Sequence, residues 1–501
     1  MGLDKYEYGG HVLAELDVAT DIVAHSRAAE ADPLFGIEIH GLDPIPPEDQ
    51  HGSPVELIWT WLGGAFNYVA LTTGALTILF GLSIWQAIAA ALIGSVVGAL
   101  VFGFTGIFGP RTHTATIVNT RAAFGLVGNY PAALISWLSA SGWVAVNSVL
   151  AVFALVELAG KAGLGTGVGI KVASIVIVLL AQVGIALFGH ATVVASERVF
   201  AIISIILILG VLVFALPKIN WAYPQSKSLA SSTITGTWFL GLSVIFAAPL
   251  SWVNYGSDYS RYLSDRTSMW RVMLMTFLGM GIASVAGALI GTLLATVVDM
   301  SNPIANLPKV LPGWYLVPFL LVVIWGAIAN NVLNLYTAGL GLIALRVLVP
   351  RWIAVALVGS IAAVLTFIAV FFYNFMSLYA EWLSLTLILL CPWTAILVVD
   401  YFVRRGHYDV QALHTWGHGP YWYRGGINWP TLVVYVLGII CAFALANSTL
   451  WTSPISKDLL GGADLSLEAG LLITGILYYF VAKAQLSSVR AAGTVAAESQ
   501  A

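Results

Sequence analysis

The stretch Trp325–Leu340, WGAIANNVLNLYTAGL, places three asparagines, Asn330, Asn331 and Asn334, inside one of the most apolar regions of the chain. An amide with no hydrogen-bond partner costs about 4–8 kcal/mol on transfer from water to cyclohexane. Asn330 and Asn334 are four residues apart and share a helix face, with Asn331 about a quarter-turn to the side. Together they cover too broad a sector for a single interhelical bond, so lipid is excluded from it. Spacing alone admits two readings, interhelical glue or one wall of a wet cavity. Three amides within five residues favour the cavity.

The rest of the chain puts that sector in a membrane. Of 501 residues, 59% are hydrophobic and only 9% are charged, against roughly 25% charged in a soluble domain. So few charges cannot cover a water-facing surface, and the chain reads as an all-α polytopic membrane protein. A helix needs about 20 apolar residues to cross the hydrocarbon. Twelve segments qualify as transmembrane helices: 56–80, 84–105, 132–158, 169–189, 198–216, 237–259, 271–298, 316–345, 352–372, 376–403, 430–446 and 469–484. An even count puts both termini on one side. With that side cytoplasmic, 15 basic residues, including every arginine, fall inside and six lysines fall outside, as positive-inside asymmetry requires.

Twelve of the 24 acidic residues lie in the first 56 positions, alongside the stretch DPIPPEDQHGSP. Residues 1–54 therefore read as a largely irregular cytoplasmic tail, without the apolar run of a signal peptide. Residues 55–403 form a ten-helix core, with repeats at about 55–216 and 237–403. Residues 404–484 add two peripheral helices and 485–501 a second cytoplasmic tail. Cys391 and Cys441 sit in apolar runs and show no disulfide or metal-ligand spacing. The loops carry no Ser/His/Asp arrangement and no phosphate-cradling glycine motif. The nine histidines lie almost wholly in the tail and loops. This speaks against an enzyme, a metal site or a nucleic-acid partner, and a passive channel is the remaining rival to a transporter.

Two segments look interrupted. The first contains WTWLGGAFNYVALTTG, with Gly63 and Gly64 adjacent and Asn67 one turn on. Such glycines serve close packing, or mark an unwound turn whose freed carbonyls bind a cation. The sixth contains FAAPLSWVNYGSDYSRY. Pro249 lacks an N–H and clashes with the carbonyl one turn earlier, which predicts a kink or break near Ala247–Leu250. If segments 1–5 and 6–10 are two halves of a repeat, the breaks correspond, as they do around the substrate site of inverted-repeat transporters. In the third segment Trp143 and Asn147 share a face. An indole and an amide suit a flat heterocycle, one on its face and the other on its edge; the alternative is a packing tryptophan and a bridging asparagine. Asp258, three residues from Arg261, and Glu381, about five residues into the tenth segment, are the candidate proton carriers. A local ion pair and a solvated vestibule residue are the respective alternatives.

Four motifs in order, FGPRTHTATIVNTRAAFG, SGWVAVN, SWVNYGSDYSRY and ANNVLNLYTAGL, carry a resemblance. The chain resembles the nucleobase:cation symporter-1 family, in its purine–cytosine permease branch, over the first ten segments. The resemblance implies a leucine-transporter-like fold of 5+5 inverted repeats plus two peripheral helices. It implies import of a planar nucleobase-type ring across the plasma membrane with H+ or Na+, by alternating access and without a cofactor. It assigns ring binding to Trp143, Asn147, Trp252, Asn330, Asn331 and Asn334. Three departures matter. Leu333 replaces the proline usual between the second and third asparagines. Neither Trp325–Gly326 nor Ala329–Asn330 supplies the paired hydroxyls of sodium-coupled relatives, which favours protons. Ala65 stands where many relatives are polar, which weighs against cytosine itself; a nucleobase or related heterocycle of the cytosine/purine class stays the leading substrate, with allantoin, hydantoin, uracil or a vitamin ring as the alternative.

Overall fold

The computed structural model of the chain describes residues 41–186, 190–347, 351–448 and 451–498. Among these, helices carry all the regular structure apart from two isolated bridges. The first span is a bent pair, α1a (Glu56–Ala65) and α1b (Tyr68–Leu79), at 57° to each other. Then follow α2 (Ile84–Thr105), α3 (Tyr130–Lys161), α4 (Val168–Ala186) and α5 (His190–Ala215). The sixth is again in two parts, α6a (Ile234–Leu250) and α6b (Gly256–Ser260). The remainder are α7 (Met269–Ala295), α8 (Gly313–Ala344), α9 (Arg351–Phe372), α10 (Phe375–Arg404), α11 (Trp429–Ala444) and α12 (Ser466–Leu486).

Among the described residues nine helices are long and apolar enough to cross a membrane, and the bent α1 pair makes a tenth. The expected total of twelve depends on two shorter apolar helices, α6a with 17 residues and α11 with 16. The core has α8 at its centre. It is buried along most of its length and packs against α3, α4, α5 and α1a. Close approach elsewhere uses glycine: a Cβ on Gly98 of α2 would fall 2.5 Å from Pro249 Cγ of α6a.

The break expected near Ala247–Leu250 falls just past Pro249, whose ring packs against the Gly98 gap. Helix α6a runs on to Leu250, and the break falls at 251–255 as successive tight turns, Trp252 N–H to Pro249 O (3.2 Å) and Val253 N–H to Leu250 O (3.0 Å).

Bonds between loops define two ends of the bundle. At one, Arg121 Nη1 donates to Leu413 O (3.0 Å), Arg404 Nη2 donates to Ala122 O (2.8 Å), and Arg346 lies 4.4 Å from the Trp416 ring centre. At the other, Lys218 Nζ donates to Lys309 O (3.3 Å) and Ser231 Oγ to Gly462 O (2.6 Å). These are the arginine end and the lysine end. The described part of the N-terminal tail docks on the arginine end. Ile45 is buried and its N–H donates to His113 O (2.9 Å), while His51 N–H donates to Tyr262 O (2.7 Å). Residues 1–40 lie outside the described residues.

Candidate functional site

The α1 break builds one side of the site. Helix α1a ends at Ala65, and Asn67 stands extended as the cap of α1b, its Oδ1 accepting from Val69 N (2.9 Å). The same amide donates back to Gly64 O (2.9 Å), so one side chain closes both ends of the gap. Gly63 is buried in the turn before. A Cβ on Gly64 would fall 2.5 Å from Leu333 Cδ1 and 3.5 Å from Trp252 Cη2, so glycine admits α8 and the α6 break to the backbone. The residue that replaces a family proline, Leu333, is fully buried there within an uninterrupted α8.

The three asparagines of α8 divide the neighbouring helices among them. Asn330 Nδ2 donates to Gly64 O of α1a (2.5 Å). Asn331 Nδ2 reaches Val144 O (3.0 Å) and Ser148 Oγ (3.2 Å) of α3 and Gln182 Oε1 (2.7 Å) of α4. Asn334 Oδ1 accepts from Tyr255 OH at the α6 break (2.7 Å). Asn147 of α3 joins them, its Nδ2 shared among Trp143 O (2.8 Å), Asn330 Oδ1 (3.0 Å) and Asn331 Oδ1 (3.0 Å). Asn334 Nδ2 closes the lattice onto Asn330 Oδ1 (2.8 Å). Residues i, i+1 and i+4 span about 100° of a helix, which is why one short stretch can address four partners.

Beside this lattice lies a cavity of about 40 Å³, room for a few water molecules. Trp143, Trp252 and Asn330 line it, with Thr73, Tyr379 and Ser284 among the other walls; none of its lining residues is charged. Aromatic neighbours set the indoles. Trp61 meets Trp252 at 74° with centroids 6.0 Å apart, and Tyr379 meets Trp143 edge-on at 6.0 Å. Tyr379 OH pairs with Thr73 Oγ1 (2.6 Å), whose own hydrogen goes to Val69 O (2.9 Å). Three buried polar atoms here have no hydrogen-bond partner, Trp143 Nε1, Asn147 Oδ1 and Ser95 Oγ.

Six residues were expected to touch the ring, and the structure sorts them. Trp143, Trp252 and Asn330 line the cavity; Asn147, Asn331 and Asn334 stand behind it in the lattice. Of the proton-carrier candidates, Asp258 is buried in α6b, accepting from Thr116 N (2.8 Å) and Thr337 Oγ1 (2.7 Å). It staples α6b to α8 and to the loop between α2 and α3. Glu381 lies on a different feature, an apolar groove of about 550 Å³ among α3, α9 and α10, divided from the central cavity by Tyr379. Sequence reading missed Thr73, Tyr379 and Gln182. Gln182 had a signal, as the lone amide of an apolar segment; the other two had none.

A family described as permease for cytosine/purines, uracil, thiamine, allantoin matches residues 44–465. The putative purine-cytosine permease YxlA of Bacillus subtilis is 26% identical over 465 residues, covering 90% of this chain and 97% of the relative. The vitamin B6 transporter TPN1 of Saccharomyces cerevisiae is 25% identical, covering 71% of this chain and 65% of the relative. Among solved structures, Mhp1, a nucleobase-cation-symport-1 family transporter in a closed conformation with bromovinylhydantoin bound, aligns with a TM-score of 0.71 at 18% identity, covering 90% of this chain and 97% of that one. The architecture is therefore the leucine-transporter-like one.

Proposed function

Because the chain belongs to the family of permeases for cytosine/purines, uracil, thiamine and allantoin, in the purine–cytosine branch of the nucleobase:cation symporters, we propose that it imports a nucleobase or related planar heterocycle by cation symport with alternating access. The observation that carries this reading is the uncharged cavity between two broken helices, walled by two indoles and one amide. Trp143 and Trp252 take the faces of a neutral ring. Asn330 meets polar atoms on its edge. At about 40 Å³ the cavity excludes such a ring, so the helices part to admit it and close again to carry it. A vitamin ring is the second reading, favoured by the vitamin B6 transporter among the relatives.

The coupling ion is a proton. The carbonyl freed by the α1 break, Gly64 O, already receives two amide donors, from Asn67 and Asn330, in place of a bound sodium ion. Asp258 is the carrier: its carboxylate is buried where α6b meets α8. One charge moving inward supplies about 2.3 kcal/mol per 100 mV. The arginine end faces the cytoplasm of a plasma-membrane protein, with both termini there.

Uptake into proteoliposomes of labelled cytosine, adenine, uracil, allantoin, hydantoin and pyridoxine, under imposed pH or sodium gradients, tests this. Accumulation of a planar ring under an inward proton gradient is expected. Stacking is worth about 1–3 kcal/mol per base, so Trp143→Ala lowers apparent affinity roughly five- to hundredfold. Unchanged uptake by that variant at equal protein level removes the stacking role, and accumulation driven by sodium alone removes the proton.

A further inference from the structure

Asp464 ends the loop before α12, and Glu468 stands in the first turn of that helix. That loop does not remain at the surface. Ser243 Oγ of α6a donates to Asp464 O (3.4 Å), roughly 13 Å along the helix from its start at Ile234. Gly470 lies against the middle of α10: a Cβ on it would fall 2.6 Å from Cys391 Cβ and 3.2 Å from Pro392 Cδ. Helix α11 stops early, and Ala442 and Ala446 pack on Ile388 of α10. The two acids are thus set inside the bundle, among α6a, α10, α11 and α12.

Their oxygens are incompletely used. Asp464 Oδ1 accepts from Asn447 N (3.3 Å) and Ser466 N (3.2 Å). Asp464 Oδ2, Glu468 Oε2 and Ser466 Oγ are buried and have no hydrogen-bond partner. Asp464 and Ser466 are each 1% exposed. The Ser466 and Ser243 hydroxyls both lie close to the Asp464 carboxylate, and Ser466 Oγ is left without a hydrogen-bond partner. Among the described residues neither acid has an ion-pair partner. Cys391, on the facing α10, feels both carboxylates and brings no positive charge. Ionised carboxylates out of water demand a compensating cation, and an ionisable group at membrane depth is by default a functional feature. The helix then opens with a single π-turn, Ala469–Ile473, an irregularity frequent at such features.

We propose that Asp464 Oδ2, Glu468 Oε2 and Ser466 Oγ hold a hard cation, Na+ or Ca2+, that ties the last two helices to α6a and α10. Carboxylate and hydroxyl oxygens select hard ions over soft ones. None of the three residues lines the central cavity.

Purified full-length protein is titrated with CaCl2 or NaCl against choline chloride at constant ionic strength, reading the thermal unfolding midpoint and binding of 45Ca2+ or 22Na+. A saturable rise in the midpoint with one of the two ions is expected. Asp464→Asn and Glu468→Gln each weaken it at least about tenfold, since even outer-shell changes cost metal sites that much. Ser466→Ala, the mildest change, weakens it less. Trp143→Ala, in the central cavity, leaves it intact. If the acid variants do not fold, the wild-type isotherm and Ser466→Ala decide. No saturable binding to wild type, equal response in wild type and Ser466→Ala, or stabilisation by acidification alone overturns the cation site; the last outcome leaves a carboxyl pair sharing a proton.

Discussion

The breaks in α1 and α6 face each other across the cavity but are finished in opposite ways. The α1 break closes itself: Asn67 caps the second half and holds the last carbonyl of the first. Its hydrogen bond to α8 runs through Gly64 O and Asn330, beside the edge-on contact of Tyr68 with Phe319. The α6 break is closed by its neighbours. Tyr255 OH goes to Asn334 of α8 (2.7 Å), Asn254 Nδ2 to Ser136 Oγ of α3 (2.7 Å), and Asp258 binds Thr116 and Thr337. A self-capped break keeps its own joint intact when α1 shifts, although α1b is also held from outside by Tyr68 OH donating to Pro303 O and by the Thr73–Tyr379 pair. A break stapled from outside obliges α6 to exchange several partners whenever it moves. Both breaks, though, rest on the same α8 lattice, so that lattice is where the comparison is most exposed to experiment.

The largest effect is expected from Asn331→Leu. It strips a donor from Val144 O, Ser148 and Gln182 and an acceptor from Asn147 and Asn334. Each buried group left unpaired costs about 1–3 kcal/mol, so the unfolding midpoint of the purified protein drops steeply. Asn330→Ala, facing the cavity, loses substrate affinity first and stability less. Wild-type stability in Asn331→Leu would mean that α3, α4 and α8 hold together without the amide.

Next come the breaks themselves. Asn67→Ala removes both bonds of the self-cap and costs about 0.5–2 kcal/mol as a lost N-cap, visible as lower stability. Tyr255→Phe removes one net bond of about 0.5–1.5 kcal/mol from the staple that holds α6 to α8. If opening limits turnover, uptake at saturation rises roughly two- to tenfold with half-saturation unchanged. The reverse pattern, Tyr255→Phe destabilised and Asn67→Ala faster, would invert the assignment of which break is jointed.

Much of this was legible in sequence, because the bilayer enforces long apolar runs and makes each interior polar residue conspicuous. Asn330 and the α1 break at Gly64–Asn67 stood out on those grounds, Trp143 by its spacing from Asn147, and Trp252 only through the family resemblance. The division of labour among Asn330, Asn331 and Asn334 did not, since spacing fixes the width of a helical sector and not which helix fills each part of it. Pro249 marked the α6 break to within a few residues, but not its partner: the glycine on α2 that receives its ring lies some 150 positions away in sequence. Asp464 and Glu468 were read past as outer-loop residues: nothing local reveals that the loop after α11 turns back into the bundle. Glu381 drew attention by its depth along α10, yet its side chain belongs to the groove behind Tyr379.

The smallest effect asks whether stapling from outside extends to the arginine end. There Arg121 of the loop between α2 and α3 donates to Leu413 O, next to His414, whose Nε2 is buried without a partner. Burial, and then the Arg121 guanidinium, push the His414 imidazole down from 6.5 to about 4, against a small opposing pull from Asp43. Between those values the unfolded chain binds a proton that the folded chain refuses, so stability rises with pH across the window. The contribution is complete above 6.5 and is lost as pH falls toward about 4. His414→Gln removes the titrating group, and its unfolding midpoint should fall less than that of wild type when pH is lowered through the window. The ring keeps some contact with water, so the difference is modest. Parallel curves for the two proteins would show that Arg121 and the loop it grips come apart before His414 meets its proton, and that the arginine end is held elsewhere.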